Sequence, residues 1–330
     1  MRTFGISVLA LLVLAGCATV SRDPALFTYD QSRLPPADLS LTIPGLGPCT
    51  NNPDRTLHLN SQQPVTVLVH GCRGSTGNFR ALAEVMAFHG QQTACFDYDD
   101  RDSLMRSSAQ LAASLDALSG QMQNKQITVI GHSQGALVSR KALVAARSDP
   151  MRDSEAKIRL VTISGPFAGI ASAEQCGSPT LVMRVLTLGL VEQLCKIVSG
   201  DKWYEITSAS DFIRQPGALR DQVQSYLKID TDERGACYRN ADGSCKEKDY
   251  TFSLDEQYYA PVDKAPLVRN IEIKAGHVEI VGDQRVAPVK LIAILQQNGI
   301  LNPTEAQRSA AFEQLLARLY LHDNQGDRHD

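Results

Sequence analysis

Histidine is scarce in this chain, with seven in 330 residues. A reaction that needs an imidazole therefore has few candidates, and they can be taken one by one. Charge of one sign is not in excess, since 33 Lys and Arg stand against 36 Asp and Glu. No basic patch is interleaved with aromatic residues, so nucleic acid is not an expected partner. No C-x-x-C pair and no His/Cys cluster has zinc spacing, so neither a metal nor another cofactor is expected. There are no internal repeats. No apolar run is a comfortable membrane span: the N-terminal one is too short, and the one at 181–191 carries Arg184.

The N-terminus reads as a targeting segment. Met1-Arg2 is a positive n-region, and Ile6–Leu14 is an apolar h-region. It ends in Leu14-Ala15-Gly16-Cys17, which resembles a bacterial lipobox. The resemblance implies a signal peptide over 1–16, cleavage before Cys17 and lipidation of its thiol, which would tie the chain to a membrane. Ala18 stands where an Asp would retain such a protein at the inner membrane, so the expected location is the cell envelope, at the outer membrane. Residues 17–56 are rich in Pro, Asp, Ser and Asn and read as a tether with a loop-rich lead-in.

Eight cysteines suit an oxidising compartment. Cys237 and Cys245 bracket a turn-rich stretch and are expected to form a bridge, and Cys176–Cys195 is the next candidate. Cys49, Cys72 and Cys95 are expected to give one pair and one free thiol, without a choice among them.

From residue 65 strand and helix signals alternate. Strands are expected at 65–70, 93–96, 127–130, 158–163, 203–208 and 268–273, and helices at 79–88, 103–118, after Ser133, and at 286–297. Such alternation implies a mostly parallel sheet covered by helices on both faces. Two segments interrupt it. Residues 165–200 contain the apolar stretch 181–191, read as buried helix or a lid-like cap. Residues 230–265 read as a polar, turn-rich insertion. Asn302-Pro303-Thr304-Glu305 offers a cap for a C-terminal helix, within a final segment spanning 301–330.

The most informative stretch is Gly131-His132-Ser133-Gln134-Gly135. It follows the apolar run 127–130 and precedes a helix former, the context in which G-x-S-x-G means a nucleophile elbow. The pattern alone arises by chance in about one chain in ten of this length. Support has to come from partners, because a serine hydroxyl needs a base and an acid that orients it. His322 and His329 lie in the tail, His58 precedes the sheet, and His89 ends a helix. His70 belongs to the first strand end, and His132 sits inside the elbow. His277 remains, just past the last strand. The acid should follow a strand between Ser133 and His277. Asp211 meets that condition after the expected strand 203–208, with Asp255 and Asp263 as weaker alternatives. For the oxyanion, the expected donors are the backbone N–H groups of Gln134 and Cys72, the latter in the loop His70-Gly71-Cys72-Arg73-Gly74.

His70-Gly71, the elbow, Asp211 and His277, in that order, resemble the α/β-hydrolase superfamily, in its serine-esterase and lipase branch. Ser164-Gly-Pro-Phe-Ala-Gly169 is also similar to a segment of bacterial lipases, with Phe167 replacing their His. The resemblance covers about 65–297, within an α/β-hydrolase domain expected over 57–300. It implies an eight-stranded sheet with one antiparallel strand, and hydrolysis of carboxylic esters through an acyl-enzyme on Ser133, His277 and Asp211. The expected substrate is a small ester or a lipid. Acyl transfer to an alcohol on the same residues, and a non-catalytic envelope scaffold, are the alternatives; oligomeric state is left open.

Overall fold

The computed structural model describes residues 30–145, 151, 154–173, 200–239, 244–283 and 285–320. Cys17, Cys176, Cys195 and the apolar stretch 181–191 lie outside the described residues. The strands are β1 (Leu39–Leu41), β2 (Leu46–Gly47), β3 (Leu57–Leu59), β4 (Val65–Val69), β5 (Gln92–Phe96), β6 (Gln126–His132), β7 (Lys157–Ile163), β8 (Val223–Asp232), β9 (Cys237–Arg239), β10 (Cys245–Lys248) and β11 (Val268–Lys274).

Seven of them form one sheet in the order β11-β8-β7-β6-β4-β5-β2. All neighbours in it are parallel except β2, which pairs antiparallel to β5 at the edge. The expectation of eight strands is thus corrected to seven among the described residues, and the single antiparallel strand is present. The chain winds outward from β4 to β5, then crosses to β6 on the other side of β4. This reversal opens a crevice at the carboxyl ends of β4 and β6, where α/β sheets place their ligands.

β4 is buried at all five positions. Its β-branched Val-Thr-Val-Leu-Val run suits a strand covered on both faces. The period of two divides the core. Val67, Val69, Phe96, Val129 and Leu160 face helices α2 (Leu104–Gln121) and α3 (Gln134–Ala142). Leu68, Cys95, Ile130, Val161 and Ile163 face α1 (Arg80–Phe88) and the helices Val289–Gln297 and Ser309–Tyr320. The last helix starts seven residues after the cap read at Asn302, preceded by a 3-10 turn at Ala306–Arg308.

Residues 203–208 do not form the expected strand. Asp201–Trp203 is a 3-10 turn, and Thr207 Oγ1 donates to the Tyr204 carbonyl at 2.8 Å. The Glu205 carboxylate accepts from Ser103 Oγ at 2.8 Å and from the Leu104 N–H, so it caps the N-terminus of α2. A side chain committed to a helix cap cannot alternate along a sheet. The strand in this part of the chain is β8, which takes in Asp230–Asp232 from the segment read as a polar insertion. It was masked by charge. Lys228 is fully buried, its Nζ 2.8 Å from Asp263 Oδ1 and bonded to Asp230.

Cys49–Cys95 and Cys237–Cys245 are bridged, and Cys72 is free and exposed. One pair and one free thiol among Cys49, Cys72 and Cys95 is the arithmetic expected from the sequence.

Candidate active site

Ser133 sits between the end of β6 and the start of α3 with φ +58°, a strained conformation for a residue with a side chain. Its N–H donates to Ile163 O at 2.9 Å, which pins the turn to β7. The strand and helix pass so closely that a β-carbon on Gly135 would lie 2.2 Å from Val69 O. One on Gly131 would lie 2.3 Å from Gly135 O. Only glycine permits that approach. The loop after β4 also comes near: a β-carbon on Gly71 would lie 2.9 Å from Ser133 Cβ. The N–H of Gln134 belongs to the first turn of α3, where it has no intrahelical partner.

His277 follows β11 and is buried, with 6% exposure. His132 ties it to the elbow, because His132 Nε2 lies 2.9 Å from His277 O. A carbonyl only accepts, so Nε2 carries the proton. Burial, then the neighbouring His277, hold the His132 ring well below the ordinary histidine range, so it stays neutral. His277 Nδ1 lies 2.8 Å from Glu233 Oε1. That contact puts the proton of a neutral His277 on Nδ1 and leaves Nε2 as a lone pair.

Glu233 is the first residue after β8 and is 1% exposed. Besides His277 it accepts from Thr231 Oγ1 at 3.1 Å, from the Phe252 N–H at 2.9 Å and from the Thr251 N–H. The 249–252 loop braces both partners. Asp249 accepts the N–H groups of Val278 and Glu279 at 2.9 and 2.8 Å, and the Phe252 ring packs edge-on against His277. The segment read as an insertion therefore supplies the carboxylate that faces His277 and its scaffold.

Asp211 does not make that contact. It is exposed at the start of the short helix Asp211–Arg214, and its Oδ1 accepts from Gln215 Nε2 at 3.0 Å. The weaker alternatives do not make it either: Asp263 pairs with Lys228, and Asp255 is exposed in the first turn of Leu254–Gln257. The carboxylate that faces His277 does follow a strand, and that strand is β8.

Around the loop after β4, the Asp100 carboxylate accepts the Arg73 N–H at 2.7 Å, and Gln134 Nε2 donates to Asp100 O at 2.9 Å. Burial would raise the Asp100 pKa, but the Arg73 N–H and the Lys202 ammonium outweigh it and the net shift is downward. His70 donates from Nδ1 to Gly71 O at 2.9 Å, and Tyr98 OH donates to His70 O at 2.7 Å. The aspartates of 97–102 thus serve local turns and this loop.

Residues 64–229 match the family model described as palmitoyl protein thioesterase, half of the chain. The chain belongs to the palmitoyl protein thioesterase family. No curated protein matches it. The propeptide form of Bacillus licheniformis lipase BlEst2 aligns over 79% of this chain and 55% of its own, at 18% identity and TM-score 0.52. The mature form aligns over 78% of this chain and 97% of its own, at 18% identity and TM-score 0.49. Esterase B from Lactobacillus rhamnosis aligns over 85% of this chain and 89% of its own, at 11% identity and TM-score 0.46. At such identities the likeness speaks for the fold, which is that of an α/β-hydrolase. Family and fold make this palmitoyl protein thioesterase relative a hydrolase of the ester and thioester class. The family match ends at residue 229, before Glu233 and His277, so their places come from the geometry.

Proposed function

We propose that the chain hydrolyses aliphatic acyl thioesters and esters through an acyl-enzyme on Ser133, with His277 as general base and Glu233 as its orienting acid. The observation that carries this is the Glu233–His277 contact, which sets a carboxylate on His277 Nδ1 beside the elbow. Ser133 Oγ attacks the acyl carbonyl carbon while Nε2 takes its proton. The N–H groups of Gln134 and Cys72 receive the oxyanion. Collapse breaks the bond to sulfur or oxygen, and His277 returns the proton to that leaving group. Water, deprotonated by the same Nε2, then releases the carboxylic acid and frees Ser133. The family description supports a long acyl chain and a thioester leaving group. In this reading Cys17 is lipidated and holds the enzyme at the outer membrane, close to lipid-modified substrates. Labelling with a fluorophosphonate probe tests the nucleophile: wild type labels and Ser133→Ala does not. Equal labelling of the two overturns the reading. For the anchor, the intact mass of protein extracted from membranes should show acyl chains on Cys17, and an unmodified N-terminus there removes that part.

A further inference from the structure

Lys202 is 3% exposed, on the one-turn 3-10 helix Asp201–Trp203, 68 residues beyond Gln134. Its ammonium group donates to the side-chain carbonyl of Gln134 and to the backbone carbonyl of Asp100, and lies 3.2 Å from Cys72 Sγ. The Asp100 carboxylate is its counter-ion at 3.5 Å and also accepts the Arg73 N–H. One buried cation therefore touches both residues assigned to the oxyanion hole. It also touches the aspartate that holds the loop between them.

Burying an ammonium is unfavourable unless its donors are met and a counter-charge is near. Here three polar atoms surround it, so its protons are committed and none is left to reach a substrate. That excludes a role as general base or acid in this arrangement. It leaves two effects on the reacting centre. The hydrogen bonds join the loop after β4 to the first turn of α3, and so fix the gap between the two N–H donors. The fixed positive charge lies in contact with the side chains of both donor residues, in a site where charge is poorly screened, and favours negative charge at the carbonyl oxygen.

We propose that Lys202 is a positioning residue of the oxyanion hole, setting the spacing of the Cys72 and Gln134 N–H donors and adding a positive field beside them. The inference rests on the oxyanion assignment proposed above. Its signature is selective loss of stabilisation for the tetrahedral oxyanion.

The experiment uses the full chain and four proteins: wild type, Lys202→Met, Lys202→Gln and Ser133→Ala. Turnover of p-nitrophenyl butyrate is measured together with inhibition by a butyl trifluoromethyl ketone and by the corresponding methyl ketone. The first ketone is captured by the serine as a tetrahedral oxyanion, and the second is bound only as a ketone. For Lys202→Met, kcat should fall about 10²-fold with KM within about threefold of wild type. Affinity for the trifluoromethyl ketone should fall in parallel with kcat, and that for the methyl ketone should not. Should the Met variant fail to fold, the polar, uncharged Lys202→Gln is read in the same way. Folded variants that keep kcat and trifluoromethyl ketone affinity within about twofold overturn the proposal. So does an equal loss of both ketones, and so does loss of the folded state in both variants, which would assign Lys202 to stability alone. If Ser133→Ala turns over substrate like wild type, the reading of the site itself fails. An inert Ser133→Ala beside unchanged Lys202 variants removes only this inference.

Discussion

The imidazole of His277 is held by Glu233, 44 residues earlier in the chain, across a 2.8 Å contact. The two stand at the carboxyl ends of β11 and β8, neighbouring parallel strands whose register runs to Lys274 and Asp232. Strand pairing, rather than nearness in sequence, brings them together. The chain order Ser133, Glu233, His277 is the one in which α/β-hydrolases arrange nucleophile, acid and base.

Glu233→Gln keeps the size of the side chain but can present an amide N–H to His277, which destabilises the productive tautomer. We expect kcat for ester hydrolysis to fall by about 10³- to 10⁴-fold, the scale seen when the orienting acid of a serine triad is made neutral. Asp211→Asn should leave kcat within about twofold, as for an exposed residue away from the site. Steady-state rates of the two variants side by side decide the assignment, and the reverse ranking would restore Asp211.

Gly71→Ala and Gly135→Ala separate chemistry from folding. A β-carbon on Gly71 meets the Ser133 side chain, so probe labelling should slow by about 10²-fold while the protein stays folded. A β-carbon on Gly135 meets backbone at Val69 and should cost about 1–3 kcal/mol or more of stability. Circular dichroism melts alongside labelling rates read both.

Removing Lys228 leaves two carboxyl groups without their cation. Burial, opposed by Lys228, already raises the Asp230 pKa. Lys228→Met should therefore cost about 3–5 kcal/mol, the usual scale for breaking a buried pair from one side. Urea unfolding measures it, and a loss below about 1 kcal/mol would contradict the account.

Stability should also fall with acid through buried histidines. Burial lowers the pKa of His70 and, with His277 as a further cause, that of His132 from the ordinary 6.5. The unfolded chain then takes up protons first as pH drops. The stabilisation is complete above about pH 6.5 and is lost below it, by up to about 1.4 kcal/mol per pH unit for each ring. Asp230, whose pKa is raised, contributes with the opposite sign at lower pH. Comparing wild type with His132→Gln between pH 6.5 and 5 removes that shared contribution. The variant should show the shallower slope, and identical slopes would refute the neutral, buried His132.

The Cys49–Cys95 bridge closes a 46-residue separation, against 8 for Cys237–Cys245. Loop entropy alone ranks them at about 4 and about 2.5 kcal/mol. Replacing each pair by alanine and measuring thermal midpoints should give the larger loss for Cys49–Cys95.

Ser133 and the parallel strands from Val65 to Ile163 were legible because each signal there is local, whereas the edge strand β2 falls in the stretch read as a tether. β-Branched runs mark the strands, and glycines flank an elbow that no other residue would allow to close. His277 was reached by counting, since a chain poor in histidine leaves few choices. Glu233 was not legible. Its strand carries Lys228 and Asp230, which break the apolar pattern, and only the buried partner Asp263 explains why they are tolerated. Trp203 to Ser208 has strand-like composition, yet Glu205 is drawn away to cap α2.

By itself, the sequence determined the class of fold, the elbow and the histidine beside it, because these follow from periodicity, glycine sterics and residue scarcity, all written along the chain. Only the tertiary structure decided which carboxylate faces His277, where Lys202 is buried and which cysteines pair. Those depend on which side chains share a small desolvated volume, and strand order sets that rather than spacing along the chain.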